Sequence, residues 1–267
     1  MVGRLFSSAV PPLDRQMSCT RQDLRAYLDT LLSPENYRDY CPNGLQVEGK
    51  AQIRHLVTGV TACQALIDAA IEAEADAILV HHGFFWRSED AVLVGMKARR
   101  LRTLMLNDIN LFAYHLPLDC HPELGNNAQL GRLMGLSGIA PLAPSDPSLP
   151  VFSGALEEAT SLSSFAENLS TQLGRELLTV GDGAVRSVAW CTGAGQHYID
   201  TAADAGVDLY VTGEVSEQTI HIARERGISF IAAGHHATER YGAAAVGIQA
   251  GRELGCSHQF IDIDNPA

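Results

Sequence analysis

An internal duplication restricts the fold of this chain more than any other feature of its sequence. Residues 57–83, VTGVTACQALIDAAIEAEADAILVHHG, parallel residues 191–214, CTGAGQHYIDTAADAGVDLYVTGE. Each copy has an apolar run, a Thr-Gly turn, a helical pattern, an acidic residue (Asp76 or Asp208) and a second apolar run. The period is far too long for a solenoid, so we expect two related halves and not a repeat array.

A second unit repeats in the same order. Residues 108–119, DINLFAYHLPLD, parallel residues 227–239, GISFIAAGHHATE, and each copy runs from an apolar stretch into His-x-x-x-Asp or His-x-x-x-Glu. The duplication therefore predicts two α/β halves packed around a shared site.

The first half alternates between strand-like and helical patterns. These predict strands over residues 55–60, 77–80 and 110–114, and helices over residues 61–73 and 95–107. Alternation of this kind is typical of a mainly parallel sheet covered by helices. The fold class predicted for the chain is thus α/β, with duplicated halves.

The domain organisation follows from changes in pattern. Residues 1–16 contain two prolines and no helical period, which predicts an unstructured extension. Residues 17–140 form the first half, and the stretch PLAPSDPSLP then marks an exposed connection. We expect residues 141–184, with one strand and one helix, to be an inserted α+β subdomain, and residues 185–267 to be the second half.

Composition and charge exclude several classes of function. The net charge is −12, and no dense basic cluster stands beyond residues 97–100, which argues against a nucleic-acid partner. No apolar run is long enough to cross a bilayer. The six cysteines are scattered singly without Cys-x-x-Cys spacing, which predicts reduced thiols in a cytoplasmic protein and no structural zinc of the usual kind.

Three predicted strand ends carry histidines and carboxylates. They deliver His81 with His82, His115 with Asp119, and His235 with Glu239. In open α/β sheets the ligand crevice lies beyond the carboxyl ends of the strands. Imidazole and carboxylate groups are the ligands of zinc, iron or manganese, and six of them suit two divalent ions better than one.

The spacing of these residues adds detail to the prediction. His235 and Glu239 lie four residues apart, so in a first helical turn they share a face and Glu239 can bridge two ions. Pro117 argues against a helix across the second pair, which we place on a strand end and loop. A lone histidine at a strand end is more often structural, but the same pairing in both copies favours metal.

Other polar residues near the motifs have more than one interpretation. Glu214 occupies the repeat position of His82 and either lines the pocket or sits ahead of a helix as an acidic cap. His236 and His121 are candidates to hydrogen-bond the ligands, with surface solvation favoured for His121. Asn126 is interpreted as a helix N-cap.

At these residues the chain resembles the YbgI-like, or Nif-three-like, dinuclear metal-centre proteins, often called GTP cyclohydrolase I type 2 homologues. The resemblance rests on the strings CPNGLQVEGK, VTGVTA, VHHGFFW, NDINLFAYHLPLD, HPELGNNAQLG, TGEVSEQTIH, AAGHHATERYG and FIDIDNPA. It implies an intertwined duplicated fold and a ring-shaped homohexamer with divalent metals facing an internal cavity. It also implies a set of metal ligands, His81, His82, Asp119, His235 and Glu239, with His115 fitting the same site.

Three functions remain open. The first is a metal-dependent hydrolase of a small polar or nucleotide-like substrate, in which Glu239 or His115 manages the proton. The second is a non-catalytic metal-binding scaffold, favoured by closed coordination. The third is GTP cyclohydrolase activity, against which stands the absence of a G-x-x-x-x-G-K cradle and of a dense Arg or Lys cluster.

Overall fold

The computed structural model describes residues 18–146 and 149–267, so the extension predicted over residues 1–16 lies outside the described residues. The strands are β1 (Cys19–Thr20), β2 (Gly44–Val47), β3 (Gln52–Ile53), β4 (His55–Thr61), β5 (Ala77–His82), β6 (Asn110–Ala113), β7 (Ser137–Pro141), β8 (Phe152–Ser161), β9 (Leu178–Val180), β10 (Ala184–Cys191), β11 (Leu209–Thr212), β12 (Ser229–Ala232) and β13 (Ser257–Phe260). The helices are α1 (Arg21–Leu32), α2 (Gln64–Glu72), α3 (Gly95–Leu106), α4 (Leu116–Cys120), α5 (Asn126–Leu133), α6 (Leu162–Leu173), α7 (Ile199–Asp204), α8 (Glu217–Arg226), α9 (His235–Thr238) and α10 (Arg240–Leu254). Within these ranges, no helix combines the length and the apolar character that crossing a membrane requires.

The first sheet has the strand order β13-β4-β5-β6-β2. Strands β4, β5 and β6 are parallel, as predicted, and β2 closes one edge antiparallel to β6. Successive side chains point to opposite faces, so Leu56 packs with Leu28 of α1 while Val57 packs with Leu66 of α2. Both faces are covered, which is why these strands read as continuous apolar runs.

The second sheet has the order β7-β8-β10-β11-β12-β9, and its centre is again three parallel strands, β10, β11 and β12. Strands β8 and β9, from the segment 141–184, pair antiparallel with β10 and β12. Helix α6 packs onto the same sheet through Phe165 and Leu169. This segment therefore extends the sheet of the second half on both sides, while the domain boundaries stay a prediction.

The two halves are intertwined. Strand β13 pairs with β4 at the edge of the first sheet, although it follows the second half in sequence. Helix α10 places Val246 and Ala250 in the core beside Leu24 and Leu28 of α1. The C-terminal residues thus complete the first half, and the α/β class with duplicated, intertwined halves is confirmed.

The acidic residue of the repeat has the same structural role in both halves. Asp76 accepts hydrogen bonds from the backbone N–H groups of Arg54 and His55 at 2.8 and 3.2 Å. Asp208 accepts from the N–H groups of residues 186 and 187 at 3.0 and 2.8 Å. Each carboxylate precedes one parallel strand and binds the backbone near the start of the neighbouring strand. Asp76 also forms an ion pair with Lys50 at 2.7 Å.

We expect Asp76→Ala to lower the free energy of unfolding at neutral pH by about 3 kcal/mol, because it removes a buried carboxylate with its two backbone hydrogen bonds and its charged bond to Lys50. Burial alone would raise the pKa of Asp76, but bonds from Lys50 and the backbone outweigh it and lower the pKa. The stabilisation is therefore fully present above the ordinary carboxyl pKa of the unfolded chain and is lost as the pH falls from there through the lowered pKa of the folded state. Urea unfolding at neutral and acidic pH measures this.

The duplicated residue supplies the control. Asp208 is exposed, so water already competes for its hydrogen bonds and Asp208→Ala should cost clearly less. An equal loss for both variants, or a loss for Asp76→Ala that persists in acid, would contradict this explanation.

Candidate metal centre

The predicted site residues come from two sheets that meet at their carboxyl ends. His81 and His82 end β5, and His115 with Asp119 follows β6 in the first sheet. His235 and Glu239 follow β12 in the second sheet, on the one-turn helix α9. The structure brings all six residues together, and their role as ligands remains a prediction.

Glu239 lies at the centre of this group and is 3% exposed. Its Oε1 atom is 3.4 Å from His81 Nε2. Its Oε2 atom is 3.4 Å from His82 Nε2 and 3.1 Å from His235 Nε2. One carboxylate therefore presents a separate oxygen to each of two histidine groups, which is the arrangement of a bridging ligand.

Asp119 completes one of these groups. Its Oδ1 atom lies 3.4 Å from His81 Nε2. The same oxygen accepts hydrogen bonds from Asn126 Nδ2 at 2.9 Å and from Thr192 Oγ1 at 3.1 Å. The N-cap assigned to Asn126 is wrong, since Gly125 occupies that position and the Asn126 side chain instead orients Asp119.

The structure also corrects the loop predicted across His115 to Asp119. These residues form α4, with His115 at the N-cap and Pro117 in the first turn. A proline fits there because the first N–H groups of a helix have no partner within the helix. Helical spacing brings Asp119 back under the sheet, where it reaches His81.

His115 is held by a buried carboxylate that sequence reasoning missed. Asp39 Oδ1 accepts a hydrogen bond from His115 Nδ1 at 2.7 Å, and Asp39 Oδ2 accepts from the N–H of Leu116 at 2.8 Å. Burial would raise the pKa of Asp39, but its bonds to His115, Asn43 and Leu116 lower it to about 2. The anchored Nδ1–H leaves Nε2 of His115 as the nitrogen with a lone pair, and the residue belongs to a triplet with His81 and His82 whose ligand atoms lie within 4.8 Å of one another.

Two other histidines are anchored in the same way. Nδ1 of His81 donates to the carbonyl of Tyr114 at 3.2 Å, and Nδ1 of His235 donates to Glu214 Oε1 at 2.8 Å. A neutral imidazole with its proton fixed on one nitrogen offers the other as a lone pair, and such outer partners are usual for metal-binding histidines. Of the two interpretations of Glu214, contact with the site is therefore the one observed.

His236 and His121 have different partners. His236 Nε2 is 2.8 Å from Asp262 Oδ1, and His121 Nδ1 accepts from the N–H groups of residues 123 and 124. Neither contact is to a predicted ligand, so in the described residues the suggestion that these side chains support the ligands finds no side-chain hydrogen bond.

The buried carboxylates of the centre favour positive charge beside them. Burial would lower the pKa of His81, but Asp119 and Glu239 raise it to about 9. Burial would likewise lower the pKa of His235, and Glu239 and Glu214 raise it to about 9. Protons on these nitrogens offset the buried carboxylates, and metal ions would take their place. Burial lowers the pKa of His82 to about 3, which keeps that ring neutral.

The chemistry of the donors fits metal ions. His81 Nε2 and Glu239 Oε2 are buried atoms without a hydrogen-bond partner. Leaving buried polar atoms unpaired costs folding free energy, so such atoms call for an explanation such as a bound ion. Four triplets of described residues have ligand atoms that all lie within 4.8 Å of one another, and two of them contain Glu239. One is His82, His235 and Glu239, and the other is His81, Asp119 and Glu239.

A cavity of about 220 Å³ opens onto the centre, lined by Thr61, His82, His235 and Glu239 among others. A larger cavity of about 780 Å³ surrounds Asp76 at the opposite end of β5. We assign the site to the smaller cavity, because it contains the histidines and the buried carboxylate.

Similarity to known proteins identifies the family of this chain. The family model for Duf34/NIF3 (NGG1p interacting factor 3) matches residues 19–266. The chain belongs to this family. A Pseudomonas aeruginosa member, named GTP cyclohydrolase 1 type 2 homolog, is 58% identical over 240 residues, which are 90% of this chain and 95% of that protein. The resemblance inferred from the motifs is therefore confirmed.

Solved structures of the Duf34/NIF3 family share the fold. Protein ybgI, described as of unknown function, has a TM-score of 0.89 and 49% identity over 93% of this chain and 100% of its own. A protein from Thermus thermophilus has a TM-score of 0.86 and 34% identity over 93% of this chain and 100% of its own.

We expect Asp39→Asn to weaken metal binding or activity about 10- to 100-fold, the usual effect of losing a partner that orients a histidine. The amide keeps the size of Asp39 but not the charge that fixes the proton on His115 Nδ1. Titration against a chromophoric chelator measures the affinity. Asp68→Asn, on the exposed side of α2, is the control, and equal affinities for both variants would count against the role of Asp39.

Proposed function

We propose that this chain binds two divalent cations side by side, bridged by Glu239, and hydrolyses a small polar substrate. The observation that carries the proposal is the bridging carboxylate with an unpartnered buried oxygen, facing histidines whose Nε2 atoms converge on it. Zinc, iron and manganese are the ions that suit this ligand set.

Two such ions, when bound, supply the Lewis acidity that activates water near neutral pH and stabilises negative charge developing on a substrate. The residues of the chain provide orientation and proton transfer. Asp39 keeps a proton on His115 Nδ1, so His115 Nε2 can accept a proton from the reacting water. Glu214 holds His235 in place through Nδ1.

Space beside the ligands favours a hydrolase over a closed metal-binding scaffold. Catalytic metal sites keep a position open for water or substrate. Here the cavity of about 220 Å³ reaches His82, His235 and Glu239, so a small molecule can approach the centre.

The test is hydrolysis by the metal-loaded protein of a panel of phosphomonoesters, phosphodiesters and cyclic amides. We expect turnover of at least one class, loss after chelation, and recovery on adding back the metal. His235→Ala should abolish it, while His221→Ala, an exposed histidine on α8, should not. Stoichiometric metal with no turnover of any class would favour the scaffold, and turnover indifferent to chelation would overturn the proposal.

GTP cyclohydrolase activity is the second candidate, because the relatives carry that name. Its substrate is a triphosphate, which calls for several cations. The cavity at the centre has no arginine or lysine among its described lining residues. Formate released from GTP by the metal-loaded chain, and lost in His235→Ala, would favour this candidate over the general hydrolase.

We also propose that the chain forms a homo-oligomer, with a hexamer as the state expected from the resemblance. An exposed apolar stretch supports this, since Val92, Leu93, Val94 and Met96 are each more than half exposed. Light scattering of the purified chain tests it, with a monomeric mass as the contrary result. Val94→Lys should then shift the mass toward smaller species.

A further inference from the structure

A second cavity, of about 440 Å³, adjoins the metal centre on the outer side of His115. Its wall includes Leu116, the residue after His115, and Tyr40, the residue after Asp39. The ring of Tyr40 lies 6.3 Å from the ring of His115 at an interplanar angle of 63°. A molecule in this cavity would therefore stand next to the histidine that faces the centre.

Three tyrosines line this cavity, and we call it the tyrosine pocket, formed by Tyr37, Tyr40 and Tyr198 with Asn36, Arg38, Leu116 and Pro150. Tyr37 and Tyr40 come from the first half, whereas Tyr198 comes from the second. The three rings therefore converge only in the folded chain. Tyr40 is 61% exposed, so its ring is accessible to a molecule in the cavity.

The tyrosines form an uncharged wall. Burial raises the pKa of Tyr37 to about 12, with a further contribution from Cys120 and Asp119. Burial also raises the pKa of Tyr198 to about 12. Both phenols stay neutral at physiological pH, and the effect of Asp119 on Tyr37 shows how close the pocket lies to the centre.

Arg38 is the cationic group of the pocket. It is exposed, and no carboxylate pairs with it in the described parts of the chain. A guanidinium presents a planar fork of donors that suits phosphate oxygens. In a chain of net charge −12, an unpaired arginine beside three aromatic rings favours a ligand that brings both a ring and a negative charge.

We propose that the tyrosine pocket binds a mononucleotide, with the base against the tyrosine rings and the phosphate at Arg38. Aromatic side chains serve as stacking surfaces for bases, and arginine adds a cation to them. The volume of about 440 Å³ lies within the usual range for small-molecule sites. The inference rests on the proposed function, since it names the class of substrate presented to the metal centre.

The test is calorimetric titration of the full-length, metal-loaded chain with AMP, adenosine and ribose phosphate. We expect AMP to bind more tightly than either fragment, because each lacks the ring or the charge. Tyr198→Leu should weaken AMP binding about fivefold or more, the lower end of what losing one stacked ring costs. Tyr198→Phe keeps the ring and should restore the affinity, which separates stacking from misfolding.

Arg38→Gln should bring AMP binding close to that of adenosine, whereas Arg186→Gln, an exposed arginine outside the pocket, should leave it unchanged. No binding of AMP by the wild type, ribose phosphate binding as tightly as AMP, or unchanged binding in Tyr198→Leu would each overturn the inference. Binding is measured without turnover, and elemental analysis of the same sample reports the metal. A result that contradicts nucleotide binding in the pocket is thereby distinguished from one that contradicts the metal centre.

Discussion

Replacement of Glu239 by glutamine will reduce bound divalent metal from the two ions per chain that we propose to one or fewer. Glutamine keeps the size of the side chain but removes the charge and one oxygen able to bind metal, and both oxygens of Glu239 face histidine nitrogens. Two cations so close together need a bridging negative charge, so both sites weaken together. Elemental analysis after gel filtration gives the stoichiometry.

The control for this variant is Glu217→Gln, an exposed glutamate on α8. It should retain wild-type metal, and both variants should keep a native circular dichroism spectrum. Two ions per chain in folded Glu239→Gln would rule out the bridge.

Gly193→Ala should also lose metal, although Gly193 offers no ligand. An alanine Cβ at this position would collide with Glu239 Oε1 and lie 3.1 Å from His235 Nε2. The bridging carboxylate must then move away from the histidines. The backbone φ of +64° adds strain of about 1–2 kcal/mol for any residue with a Cβ. Elemental analysis and urea unfolding report the two effects separately.

Gly174→Ala is the matched control, because Gly174 ends α6 at a φ of +70° with open space around the new Cβ. It carries the same backbone strain without the collision. We expect both variants to lose stability, Gly193→Ala at least as much as Gly174→Ala, and only Gly193→Ala to lose metal. Equal metal contents would show that the position of Glu239 does not depend on the space that Gly193 leaves.

The duplication made the parallel centre of both sheets predictable. The strand predicted over residues 77–80 is observed as Ala77–His82, and the paired roles of Asp76 and Asp208 follow the repeat. The convergence of the predicted site residues was also readable, because parallel strands deliver their last residues to one edge.

The residues that hydrogen-bond the site histidines could not be predicted from the sequence in the same way. Asp39 lies in an irregular stretch 76 positions before His115, so no periodicity connects them. Their contact depends on how α1 and β2 pack against β6, which is tertiary information. The helix around Pro117 was missed because proline is excluded from helix interiors but fits the first turn. Glu214 was the partner that the sequence did indicate, because it occupies the repeat position of His82.

Diffraction at the absorption edge of the bound metal tests the central claim most directly. We predict two anomalous peaks about 3.5–4 Å apart, as in other two-metal sites, one on each side of the Glu239 carboxylate. The first should lie against His81 and Asp119, and the second against His82 and His235. A single peak in fully loaded crystals, or peaks away from Glu239, would contradict it.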